Sequence, residues 1–168
     1  MKEKLNRHES MRGWFAYDLH GQMKKNGDIW VVTGDLGYGM FDRIRDDYPN
    51  RFVNVGAAEQ GGVGASVGLA LKEKIPVFYS ITPFALYRPF EWIRNYMDNE
   101  QIPVKIVGGG RDKDYKHDGF THWSEEAFSI MNNLSGIEQY WPEQKEDVPV
   151  MLGEMLNNNK PSFMSLRR

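Results

Sequence analysis

The sequence has 168 residues, with 21 Lys and Arg against 23 Asp and Glu and no cysteine. A chain of this length suits one domain with a full hydrophobic core. A net charge of −2 gives no electrostatic case for nucleic acid or an acidic membrane surface, and the lack of cysteine excludes disulfides, thiolate metal sites and cysteine nucleophiles.

Met1 to Ser10 is polar and charged and carries no apolar leader. No apolar run is long enough to span a bilayer, so the expectation is a soluble, cytoplasmic protein without a membrane partner. Ser10 can cap a helix from Met11 to about Lys25, which Asn26-Gly27 ends. Ile29 to Thr33 is apolar and β-branched and reads as a buried strand. A loop over Gly34–Gly39 leads to a helix from Met40 to Tyr48, stopped before Pro49. Phe52 to Val55 reads as a short strand and Glu59 to Lys72 as a helix. Then come a strand at Val77–Ile81, a helix at Leu86–Met97 and a strand at Val104–Val107. A long polar loop reaches Trp123, followed by a helix at Glu125–Asn132, a strand at Ile137–Trp141, a helix at Asp147–Asn157 and a last strand at Phe163–Leu166. Short apolar strands alternating with helices predict an α/β fold, a mainly parallel sheet with helices on both faces. Ligands in such folds bind at the carboxyl ends of the strands.

Asp35, Glu59, Phe84, Tyr87 and the loop His117–His122 all fall just past predicted strand ends. Glu59 carries the most information. It stands in the first turn of its helix, where a carboxylate suits the positive end of the dipole. Behind it come Gly61, Gly62, Gly64, Ala65 and Gly68. Each glycine costs roughly 1 kcal/mol of helix propensity against alanine, and glycines at this density mean that another backbone comes close. On these residues alone, Glu59 reads equally well as a simple dipole partner.

Arg51, Gly56, Ala58, Glu59 and Gln60 form R-x-x-x-x-G-x-A-E-Q, which resembles the pyrimidine-binding domain of transketolase and its thiamine-diphosphate relatives. The resemblance runs from Arg12 to Arg168. It implies that Glu59 bonds to the aminopyrimidine ring of the cofactor and favours its imino tautomer. Ile81-Thr-Pro-Phe84-Ala-Leu-Tyr87-Arg88 is similar to the family segment whose aromatics pack on that ring. Phe84 takes the stacking position, Tyr87 a neighbouring one, and Ile81 stands where an aromatic is common. On their i, i+3 spacing alone, Phe84 and Tyr87 read as ordinary core aromatics. Asp35 matches an acid near the cofactor rings, or it simply forms a turn.

His117-Asp118-Gly119-Phe120-Thr121-His122 is similar to the family motif D-G-x-T-H-Q, with Trp123 for Gln. The resemblance assigns Asp118 and His122 to the sugar oxygens, and a neutral imidazole can both donate and accept a proton in ketol cleavage. A polar surface loop is the plain alternative. A zinc pair from His117 and His122 is disfavoured by their i, i+5 spacing. Arg12 and Arg168 match positions that hold the sugar phosphate, through the bidentate fork of a guanidinium. The family's phosphate-binding histidine is absent, and Arg111 stands nearby as a possible substitute. Gly108-Gly109-Gly110 lacks the spacing of a phosphate loop.

Neither a G-D-G motif nor its Asn-rich end is present, so this chain is expected to hold no metal by itself. The resemblance then implies a single pyrimidine-binding domain over residues 1–168, without the diphosphate-binding and C-terminal domains. It implies thiamine diphosphate shared with a separate diphosphate-binding subunit that holds Mg²⁺, a sugar phosphate substrate, and a homodimer contact through the glycine-rich helix. The expected activity is ketol transfer by a split transketolase. A deoxyxylulose-phosphate-synthase-like or specialised ketose synthase subunit, or a non-catalytic assembly subunit, are the alternatives.

Overall fold

The computed structural model describes residues 9–168. The first helix, α1 (Met11–Lys25), starts where expected, because the Ser10 side chain accepts the Gly13 N–H at 3.1 Å. Its far end is held from outside. Arg51 donates to the carbonyls of Met23 at 3.1 Å and Asn26 at 3.0 Å, two of the acceptors a helix terminus leaves unpaired.

Six strands follow: β1 (Ile29–Thr33), β2 (Phe52–Asn54), β3 (Ile75–Ile81), β4 (Lys105–Gly109), β5 (Glu138–Tyr140) and β6 (Ser162–Leu166). They form one sheet in the order β2-β1-β3-β4-β6-β5, and every neighbouring pair is parallel. The register lines up Val32, Phe78, Ile106 and Phe163 across four strands. That row faces one core, built with Val63 and Val67 of α3 (Glu59–Ala70), Ala85 and Leu86 of α4 (Thr82–Leu86), and Ala127 and Met131 of α6 (Ala127–Met131). Tyr79, Val107 and Met164 are one residue further on and face the opposite core, under α1 and α7 (Val148–Asn157). Both faces of a parallel sheet are thus covered, as its apolar strands demand.

The chain leaves β1 toward β2 on one side and leaves β3 toward β4 on the other. The crevice beyond the ends of β1 and β3 is therefore the topological switch point, where ligands bind in such sheets. Glu59, Asp35 and Phe84 all lie on segments opening onto it.

Several predicted helices are shorter than their apolar spacing suggests, among them α6, which covers only Ala127–Met131. The segment 86–97 is broken by Pro89 into α4, a short α5 (Phe90–Trp92) and a π-helical turn at Ile93–Asn99. The second helix, α2, covers only Asp42–Asp47, since Gly37 and Gly39 ahead of it take positive φ. Strand β3 begins two residues earlier than expected. Pro76 is tolerated there because β4 pairs only from Val77 onward.

The glycines of α3 have local neighbours. A methyl group on Gly62 would stand 2.6 Å from the Phe78 ring, and one on Gly64 3.2 Å from Trp92. These two glycines let the helix lie down on its own sheet and on α5. Gly61 has only the Ala58 methyl at 4.0 Å, and Gly68 faces open space. Among the described residues no helix is long and apolar enough to cross a membrane.

Candidate functional site

Glu59 is the first residue of α3 and is only 4% exposed. A carboxylate that far from water needs donors. Arg88 supplies one: its Nη1 donates to Glu59 Oε2 at 2.7 Å. Oε1 faces the backbone beyond β1, where a methyl group on Gly34 would lie 3.6 Å from it. The Arg88 guanidinium also sits over the Phe84 ring, 3.8 Å from its centroid.

Phe84 in turn meets His122 edge to face, with centroids 5.0 Å apart. Beyond His122 stands Tyr115 at 6.3 Å, flanked by two cations. Arg12 Nη1 donates to the Tyr115 hydroxyl at 2.8 Å, and the Arg168 guanidinium lies 5.0 Å from the ring centroid. Arg168 is tethered by its backbone N–H to Asp114 at 2.9 Å. His117 Nε2 stands 3.0 Å from Arg168 Nη1 and 3.2 Å from Asp118 Oδ2, so its tautomer decides which of the two it serves. One line of contacts therefore joins Glu59, Phe84, His122, Arg12, Arg168 and Asp118, which are scattered from one end of the sequence to the other.

Three other expected site residues are not members of that line of contacts. The Asp35 carboxylate is exposed and accepts the Tyr38 hydroxyl at 2.6 Å. Ile81 lines a cavity of about 540 Å³ on the α1 side of the crevice, together with Arg12, Tyr79 and Tyr115. Tyr87 packs against the α3 core, where burial and then the Glu126 carboxylate push its pKa up. That is the core placement its spacing with Phe84 suggests.

Arg111 is not available as a substitute for a phosphate-binding histidine. Its guanidinium is buried against Glu143 at 2.9 Å, the Pro142 carbonyl at 3.0 Å and the backbone and side chain of Ser165. Desolvation lowers its pKa. Among the described residues no three His, Asp or Glu side chains are grouped so as to hold a metal ion.

The glycine run that ends β4 shapes the site by making room. A side chain on Gly108 would strike Thr82 at 2.6 Å, one on Gly109 the Tyr79 hydroxyl, and one on Gly110 the Tyr115 ring. Gly110 also has φ +87°, which only glycine adopts without strain. Thr82 closes the arrangement by donating its hydroxyl to the Gly110 carbonyl, and Thr82 starts the helix that carries Phe84. Tyr79 is fully enclosed and burial pushes its pKa up, with the Arg12 guanidinium opposing. Arg88, Tyr79 and Tyr115 are the residues that spacing alone does not single out. The three consecutive glycines were the available signal for the last two.

Residues 9–168 match the family described as transketolase, pyrimidine binding domain. The chain is similar to the 6-deoxy-6-sulfo-D-fructose transketolase subunit SqwH of Clostridium sp. (strain MSTE9), at 31% identity over 146 residues, covering 86% of this chain and 45% of that protein. It is also similar to 1-deoxy-D-xylulose-5-phosphate synthase of Treponema pallidum (strain Nichols), at 31% identity over 131 residues, which are 78% of this chain and 20% of the relative. Among solved structures it superposes on a split gene transketolase described as an inactive β4 tetramer. The TM-score is 0.83 and the identity 25%, over 95% of this chain and 52% of that one. The chain thus spans about half the length, or less, of the proteins it matches.

Proposed function

The chain belongs to the transketolase pyrimidine-binding domain family, and on that premise we propose that it is the pyrimidine-binding subunit of a split transketolase-like enzyme. It transfers a two-carbon ketol unit between sugar phosphates with thiamine diphosphate, and it is active only with a separate diphosphate-binding subunit. The observation that carries this reading is the buried Glu59 carboxylate at the tip of α3, offered to a planar donor that lies on the Phe84 ring.

That seat fits an aminopyrimidine. It presents one acceptor oxygen at hydrogen-bond distance and one aromatic face at stacking distance, and Gly34 puts no side chain of its own against the far side of the carboxylate. Thiamine diphosphate, when bound, supplies the carbanion chemistry of ketol transfer. This chain's part is to orient the ring and to handle protons and anions. Glu59 holds the ring nitrogen and sets its tautomer. Phe84 fixes the ring plane. His122 borders the ring seat and exchanges a proton with the substrate's oxygens, and Asp118 binds its hydroxyls. Arg12 and Arg168 converge beside Tyr115 and take the phosphate end, at hydrogen-bonding distance once a ligand displaces their present partners. Asp35 and Ile81 serve the cofactor side, and Tyr87 supports it from the core.

The diphosphate and Mg²⁺ fall to the partner subunit. The outward stripe of α3, with Gly61 and Gly68, carries a contact with a second copy of this chain. The enzyme works in the cytoplasm. The similarity to a deoxyxylulose-phosphate synthase favours a second reading, in which the product is a 1-deoxy ketose phosphate. A purely scaffolding subunit has no use for Glu59, Asp118 and His122 in one line.

The test is to mix the chain with a diphosphate-binding transketolase subunit, thiamine diphosphate and Mg²⁺, and to follow products from ketose phosphates by mass spectrometry. Activity is expected in the mixture only, and Glu59→Gln is expected to abolish it. Full activity of that variant overturns the role of the carboxylate. Turnover by the chain alone overturns the split. The products separate transketolase from synthase.

A further inference from the structure

We infer that Arg88 gates the ring seat: in the free chain its guanidinium stands where the cofactor's pyrimidine is to lie, and the ring enters only as that side chain swings out. This rests on the reading of Glu59 and Phe84 as the ring seat.

The seat has two contacts to give, and Arg88 holds both. Its Nη1 takes Glu59 Oε2 at 2.7 Å, and its planar head lies 3.8 Å from the Phe84 centroid. An aminopyrimidine protonated at its ring nitrogen needs the same pair, an in-plane N–H aimed at the carboxylate and a flat face on an aromatic. A guanidinium matches it in shape, planarity and donors. One ring face and one carboxylate oxygen do not serve two planar groups at once, so the two occupancies exclude each other.

The ends of the pair differ in freedom. Glu59 is 4% exposed and fixed in α3, whereas the Arg88 side chain is 46% exposed. Arg88 also lies in the joint between α4 and α5, just ahead of Pro89, outside any regular helix. The mobile partner is therefore the arginine. Exchange of one planar donor for another means that the buried carboxylate is never left bare, which suits a subunit that folds before its cofactor and partner arrive. The cost is apparent affinity, which falls by the fraction of seats that are open.

The test titrates the full chain with 4-amino-5-hydroxymethyl-2-methylpyrimidine, the ring fragment of the cofactor, and reads binding by NMR. Arg88→Met removes the planar head and keeps the stem. It is expected to bind the fragment about tenfold more tightly than the wild type, while Phe84→Ala binds more weakly. In the wild type, the Arg88 Nε–H resonance is expected to move as the fragment saturates. Equal or weaker binding by Arg88→Met, with the wild type binding, overturns the gate and leaves the seat standing. A static Arg88 resonance at saturation does the same without any variant. Binding by neither chain overturns the gate together with the seat.

Discussion

The rings of Phe84 and His122 meet edge to face, 5.0 Å apart, and so tie α4 to the glycine loop that follows β4. Phe84 leads back to Arg88 and Glu59, and His122 leads on to Tyr115 and its two arginines. The imidazole thus joins the Glu59–Phe84 end of this line of contacts to its cationic end. Among the described residues its side-chain hydrogen-bond partner is Thr121, at 3.0 Å on the exposed surface. His122→Ala is expected to cost only about 1 kcal/mol of stability, for the lost ring contacts, yet to lower kcat/KM of the reconstituted enzyme by about 10²–10⁴. Thermal melting and steady-state kinetics on one preparation check both halves.

Gly110 is expected to be the least replaceable glycine of the chain. Gly110→Ala combines a strained φ of +87° with a methyl group driven into the Tyr115 ring. The loss is expected to be about 2–4 kcal/mol, with Tyr115 displaced and the Arg12 contact broken. Gly153→Ala is the control. It lies in α7 with nothing within 4 Å, and it is expected to gain about 0.5–1 kcal/mol. Urea unfolding of the two variants gives the comparison.

The contrast between those glycines shows what the sequence can carry. The strands, α1 and the carboxylate at the tip of α3 are legible because they depend on local periodicity and on caps such as Ser10. Residues that act at a distance are not. Gly109 and Gly110 read as an idle loop until Tyr79 and Tyr115 are placed against them. Arg111 reads as a free cation until Glu143 and Ser165 close on it. Arg51 opens a family motif, yet its visible work is to cap α1 from across the sheet. Arg88 follows Phe84 in the sequence, but its pairing with Glu59 is visible only once the fold brings the two segments together. The spacing of 86–97 suggests one helix, and the proline within it was the local sign that it breaks.

The proposed homodimer contact through α3 can be tested apart from the candidate site. Gly61, Gly68 and Leu71 share the outward stripe, with Leu71 66% exposed. Gly68→Arg adds a charged side chain over open space, so the monomer's melting temperature is expected to stay within a few degrees. If the stripe is the contact, sedimentation shows the variant as a monomer at concentrations where the wild type pairs. Unchanged association removes α3 from the interface.

Lys105 allows a test of stability that leaves the site untouched. It opens β4 at the end of the sheet away from the crevice and is 1% exposed. Its ammonium donates to the carbonyl of Asn158 at 2.9 Å, to the same residue's amide oxygen and to the carbonyl of Lys160. Burial nevertheless lowers its pKa to about 8, from 10.5 in the unfolded chain. Between those values the unfolded chain binds more protons than the folded one, so unfolding free energy must rise with pH. Below about 8 both states are protonated and the full cost of keeping the charge inside is present. Each pH unit between the two values is worth about 1.4 kcal/mol, and the whole window on the order of 3 kcal/mol. The rise is best read from pH 8 to 9.5, before the tyrosines of the unfolded chain ionise and oppose it. Lys105→Met is expected to be less stable throughout, since three acceptors lose their donor, but to show a flatter pH dependence across that window. Equal slopes in guanidinium unfolding of the two proteins would mean that the folded lysine titrates as it does in water.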